Sequence, residues 1–230
     1  MCDGDSVTKQ HILVILGHPA ADSLCAGMAH AYAEGARQTG ADVRFLDLGQ
    51  LAFNPLFQGY GAAQPLEPDL LAAQADISWA DHLVWVYPIW WGAMPALLKG
   101  FIDRVLLPGY AFKYRQGSSL WDKLLAGRSA ELLVTMDSPP WYFRWVTRMP
   151  GHHQMKKAIL EFCGIRPVRV HSFGPVRSAS TERLAQWVNA ARQLGNRQAR
   201  RGPPDRSARP VVSPSATATA SATTTPSTPT

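Results

Sequence analysis

Cysteine is scarce: Cys2, Cys25 and Cys163 are the only three in 230 residues, and none forms a Cys-x-x-Cys spacing. An odd, scattered set argues against a disulfide scaffold and a structural zinc site, and for a reducing compartment. No apolar run is long enough to span a bilayer, and residues 1–9 lack the apolar stretch of a secretion signal. The expected location is therefore the cytoplasm. The chain contains no Gly-x-Gly-x-x-Gly and no Walker lysine, which sets aside the dinucleotide fingerprint and the P-loop. A Ser-His-Asp pattern and metal-ligand spacing are also missing, so no metal is expected. Aromatic residues stop at Trp187, while six arginines and one aspartate follow from Arg192 onward, holding +5 of the formal net charge of +6. Without a stacking platform this basic end reads as a solvated extension, not a nucleic-acid site.

What is present is a hydrophobic content of 46%, enough for one substantial core. Residues 12–16 form a continuous aliphatic run, the mark of a strand buried on both faces. A loop, a helix from near Ser23 to Gly40 and a second strand over 43–48 follow, which implies a right-handed crossover and a parallel sheet. Further strands are expected over 82–87, 128–135 and 168–173, with helices near 67–80, 95–105, 152–163 and 181–198 between and after them. A short helix is expected over 120–125. Five strands with interleaved helices fit a doubly wound α/β fold of flavodoxin-like order 2-1-3-4-5, with ligands at the carboxyl ends of the strands. Residues 1–9 read as a disordered leader, 10–199 as the domain, and 200–230 as a disordered Ser/Thr/Ala/Pro-rich tail.

Two strand-to-helix loops carry the chemistry. After the first strand, His18, Ser23, Leu24 and Cys25 lie where free helix N–H groups and the dipole favour a phosphate, although a plain N-cap also accounts for Ser23. After the third strand, Pro88-Ile89-Trp90-Trp91-Gly92 places flat rings at the sheet edge, suited to a flat aromatic cofactor. The plain alternative is that the two tryptophans plug the core.

Pro88-Ile89-Trp90-Trp91-Gly92, followed by Pro95-Ala96-Leu97-Leu98-Lys99-Gly100-Phe101 and Arg104-Val105, resembles the flavin-contacting segment of NAD(P)H:quinone oxidoreductases of the DT-diaphorase type. The His18-to-Ser23 spacing and the Phe162-Cys163-Gly164 helix end are similar to that family as well, and the resemblance covers about residues 11–198. It implies a flavin, FAD or FMN, reduced by NADPH or NADH and passing hydride to a quinone-like acceptor. Cofactor contacts would fall on His18, Ser23, Leu24, Cys25, residues 88–92, Thr135, Met136 and Asp137. A homodimer is implied too, with Phe112 and Tyr114 reaching the partner's flavin; the alternative is a flap packed on its own subunit. Tyr142, His152 and His153 are the nearest counterparts of the family's acid/base residues.

The sequence departs from the family at Cys25, where asparagine is common, and at Ser138-Pro139-Pro140, where the family carries a glycine-rich loop. Proline removes N–H donors, which bears on flavin contacts beyond Asp137. Two other readings accompany the enzyme. One is an ancillary subunit of a membrane transporter, docking on protein or bilayer through residues 141–145. The other is a flavodoxin-like electron carrier that does not use nicotinamide.

Overall fold

A computed structural model describes residues 9–60, 64–207, 209 and 210, without the side chains of 140 and 144. Nearly all of the expected leader, and the tail beyond residue 210, lie outside the described residues.

The main sheet contains β1 (His11–Leu16), β2 (Asp42–Asp47), β3 (His82–Pro88), β6 (Ser129–Thr135) and β7 (Val168–Phe173) in the order β2-β1-β3-β6-β7. Every pairing is parallel. Counting only these strands, the order is 2-1-3-4-5, as the alternation of apolar runs and helical stretches implies. β3 is buried along its whole length, so the successive side chains of His82-Leu83-Val84-Trp85-Val86-Tyr87 enter two different cores. Leu83, Trp85 and Tyr87 face α2 (Pro68–Trp79) and α3 (Ala96–Val105); Val84 and Val86 face α1 (Leu24–Gln38) and α6 (Thr181–Ala199). α1 and α6 cross at two glycines: a Cβ at Gly35 would meet the Arg192 backbone, and one at Gly195 the Tyr32 carbonyl. Only glycine permits that approach.

The irregular stretch after β2 is held by one buried cation. Arg104 Nη2 donates to Glu67 Oε2 at 2.7 Å and to the Pro65 carbonyl at 3.0 Å, while Nη1 donates to the Asn54 carbonyl at 2.5 Å. A planar fork with five donors suits three acceptors presented by a bent loop.

The structure corrects two expectations. Residues 120–125 contain no helix: Trp121–Lys123 forms β5, paired antiparallel with β4 (Phe112–Tyr114). Six residues are too few to sustain an isolated helix, whereas pairing satisfies the backbone and sets Arg115 on Asp122 at 2.7 Å. Nor is the beginning of the tail a solvated extension. Arg206 and Arg209 fold back to Asp81, whose side chain is fully buried at the start of β3. A carboxylate removed from water is stabilised by those two guanidinium groups, and sequence distance does not enter.

Candidate active site

The carboxyl ends of β1, β3 and β6 surround a cleft lined by His18, Ser23, Leu24, Cys25, Pro88, Ile89, Trp90, Thr135, Met136, Asp137 and Val176. Backbone bonds lock its walls together: Gly17 N donates to Val86 O at 2.8 Å and Ile89 N to Thr135 O at 2.7 Å. A Cβ on Gly17 would lie 2.8 Å from Leu98 Cδ2, so glycine lets the first loop settle onto α3.

At one end of the cleft α1 begins. Ser23 caps it, Oγ accepting from Ala26 N at 3.2 Å. The N–H groups of Leu24 and Cys25 have no acceptor within the helix, by the geometry of a first turn, which leaves them free to meet an anion. His18 stands beside them. His18 Nδ1 lies 2.9 Å from Ala20 N and 3.1 Å from Ala20 O, which ties the ring to its own loop. The His18 ring stands edge-on to Trp90 at 5.4 Å.

The second wall is a tight turn. Trp90 and Ala93 exchange backbone bonds of 2.9 and 3.0 Å, with Trp91 at φ 51° and Gly92 at φ 78° between them. Positive φ at both central positions makes this a type I′ turn, in which a tryptophan at the first position is unusual. Its ring is fully exposed, 105% relative to an extended reference. A bulky residue held in a strained conformation with its ring in solvent points to use at that place.

The third wall comes from β6. Cys25 Sγ lies 3.2 Å from Thr135 Oγ1, tying the start of α1 to this strand. Burial pushes the Cys25 thiol up to about 11, with the Thr135 hydrogen bond offsetting part of the shift, so the group stays a thiol near neutrality. Beyond it, Asp137 Oδ1 accepts from Arg177 N at 2.9 Å, and Val176 N donates to Met136 O at 3.0 Å.

Residues 10–195 match a family described as having a flavodoxin-like fold. An NAD(P)H oxidoreductase of Haemophilus influenzae is 30% identical over 191 residues, covering 77% of this chain and 94% of its own. The chain belongs to the NAD(P)H:quinone oxidoreductase family of the flavodoxin-like fold. A ribosyldihydronicotinamide dehydrogenase (quinone) of Rattus norvegicus is 28% identical, covering 80% of this chain and 91% of its own. The solved NAD(P)H:quinone oxidoreductase of Methanothermobacter marburgensis superposes with a TM-score of 0.68 at 23% identity, covering 83% of this chain and all of that one. The protein is an oxidoreductase of this family.

Against that assignment, the structure gathers ten of the residues singled out in the sequence into one cleft. Trp91 and Gly92 do not line it but form the turn at its mouth. Phe112 is buried in its own core, 5.1 Å from Phe162 and 5.3 Å from Tyr114, while Tyr114 is exposed. Tyr142, His152 and His153 do not line the cleft either. Tyr142 lies exposed on α4 (Pro140–Trp145), and His153 is exposed at the end of α5 (Pro150–His153). His152 is buried, its Nε2 2.9 Å from Ser172 Oγ. Burial, with the neighbouring His153, pushes its pKa down to about 4, which keeps the ring neutral. Pro139-Pro140 opens α4 instead of lining the cleft: Pro140 takes the first helical position, where its missing N–H is not needed. Val176 is the lining residue that sequence reasoning missed. It follows β7 in an unremarkable Gly-Pro-Val-Arg stretch with no motif to mark it.

Proposed function

We propose that this oxidoreductase works through a bound flavin, FMN or FAD, taking hydride from NADH or NADPH and reducing quinones or similar aromatic acceptors. The observation that carries the proposal is the donor set of the cleft. Free N–H groups of Leu24 and Cys25 meet the His18 ring at one end, where a phosphate or pyrophosphate finds donors and a helix dipole. Apolar Pro88, Ile89 and Met136 and the Trp90 ring form the other walls, as a flat ring system requires. A bound flavin supplies the hydride chemistry, accepting two electrons from the nicotinamide and delivering them to the acceptor.

The chain's own groups bind and orient. The Cys25–Thr135 contact holds the phosphate end against β6, and the Ile89–Thr135 bond sets the spacing between the walls that would face the ring. Trp91, projecting from its turn, offers a face on which an aromatic acceptor stacks. Tyr142 and His153 are exposed on the segment after β6 and are the groups proposed to offer a proton to the acceptor oxygen. Exposed Tyr114 is proposed to reach the cleft of a second copy in a homodimer.

An absorbance spectrum of purified protein with added FMN and FAD, followed by anaerobic NADH or NADPH, tests this reading. Bound flavin that bleaches on reductant addition supports it, and release of the cofactor identifies which flavin is held. Protein that takes up neither flavin overturns it. Bound flavin that neither nicotinamide reduces leaves only an electron carrier.

A further inference from the structure

α4 is built inside out. Phe143 turns into the core, 4% exposed, and packs edge-on against His152 at 5.1 Å. Its neighbours turn outward: Trp141 is 62% exposed and Trp145 73%, with Tyr142 and Val146 exposed beside them. Arg148 follows, also exposed. Between Asp137 and Glu161 the sequence contains no acidic residue, while Arg148, Lys156 and Lys157 fall within it. Isolated apolar side chains on a surface need no explanation, but adjoining aromatic ones in one short helix mark a surface that is covered in use.

The kind of cover follows from the chemistry. Tryptophan and tyrosine combine an apolar ring with a polar edge, which suits the boundary between lipid headgroups and acyl chains. A cation beside such rings, with no carboxylate in the segment, is complementary to anionic lipid and adds attraction at the headgroup level. No helix among the described residues is long and apolar enough to cross a membrane, so any such contact is peripheral. We propose that the α4 segment, Trp141 to Arg148, docks the protein onto anionic lipid bilayers.

The docking segment is joined rigidly to the cleft. Gly151, just beyond it, packs so closely on the Trp90–Ala93 turn that a Cβ there would lie 2.7 Å from the Gly92 carbonyl. Seating α4 on a bilayer would therefore bring the Trp90–Ala93 turn near the lipid, from which an apolar quinone-like acceptor could enter. That consequence rests on the flavin reading; the docking itself does not.

The test is co-sedimentation of the full chain with phosphatidylcholine vesicles prepared with and without phosphatidylglycerol, read as bound protein. Wild type is expected to sediment with the anionic vesicles, less so as salt rises. Trp141→Ser/Trp145→Ser is expected to bind about tenfold more weakly, because two ring insertions are lost. Arg148→Glu is expected to weaken binding to the anionic vesicles alone. Circular dichroism and flavin uptake, measured on the same preparations, separate loss of docking from loss of fold and from failure of the flavin reading. Wild type that stays in the supernatant with both vesicle types overturns the proposal. Equal sedimentation of the double variant also overturns it, by assigning binding to the arginine-rich C-terminus. A wild-type dimer that W141S/W145S converts to monomer, without vesicle binding, assigns the surface to self-contact instead.

Discussion

Arg206 returns across 125 positions to Asp81, donating from Nε at 2.8 Å and from Nη2 at 2.6 Å to the two carboxylate oxygens. Arg209 adds a third bond at 2.6 Å, and His11 N a fourth at 2.8 Å. Burial alone would raise the Asp81 carboxyl. The Arg206 and His11 hydrogen bonds and the Arg209 charge outweigh it and hold the group below the usual carboxylate range. The segment that composition assigns to solvent is a clasp over the start of β3.

Removing both cations strands a buried charge. Arg206→Ala/Arg209→Ala is expected to lower unfolding free energy by about 2–4 kcal/mol, the lower end reflecting the partial exposure of Arg206. Urea denaturation of the full-length variant measures it. A change within error would mean that Asp81 is satisfied by other groups.

Trp91 occupies a left-handed position that glycine takes without strain. Trp91→Gly is expected to raise stability by about 1 kcal/mol, since the exposed ring contributes no burial. The same change is expected to raise KM for an aromatic acceptor. A variant that is both less stable and catalytically unaltered would contradict the role given to this turn.

Gly151→Ala tests whether the Trp90–Ala93 turn is braced from behind. The added methyl would meet Gly92 O at 2.7 Å and Ile89 Cδ1 at 2.9 Å, and the first of these is backbone. Overpacking of this kind costs about 1–3 kcal/mol, and here it is expected to weaken flavin affinity as the wall shifts. Titration with flavin, followed by fluorescence quenching, reads the affinity directly.

Two buried histidines set an acid limit. Burial pushes both His82 and His152 down to about 4, from an ordinary 6.5. Each is neutral in both the folded and unfolded states at higher pH. As pH falls below 6.5 the unfolded chain takes up a proton that the folded ring refuses. Stability is therefore expected to fall between about pH 6.5 and 4, by on the order of 3 kcal/mol per ring at most. His152→Asn should flatten its share of that decline in denaturation midpoints measured across the window.

The central strands are legible because strands buried on both faces are continuous apolar runs, and residues 12–16 and 83–87 satisfy that pattern without help from distant residues, whereas the edge strand 168–173, Val-Arg-Val-His-Ser-Phe, carries it only in broken form. The cleft was legible for a related reason. His18 and Trp90 each follow a strand and Thr135 ends one in the doubly wound order, and that order brings these strand ends to one edge. Phe112–Tyr114 and Trp121–Lys123 were not, since strands of three residues have no period to read and exist only as a pair. Val176 was missed because it reaches the cleft through the Met136–Val176 backbone bond, which leaves no mark on its neighbours in sequence.

Local pattern, then, determined the element types, their order, the helix cap at Ser23 and the loops that form the site. Those features depend on residues a few positions apart, where side-chain periodicity and capping act. Tertiary structure alone decided that Arg206 and Arg209 close over Asp81, that Cys25 turns to Thr135, that His152 is buried while His153 is exposed, and that α4 shows its tryptophans to solvent. Each of these depends on which groups lose water when distant segments meet, and desolvation is a property of the folded neighbourhood.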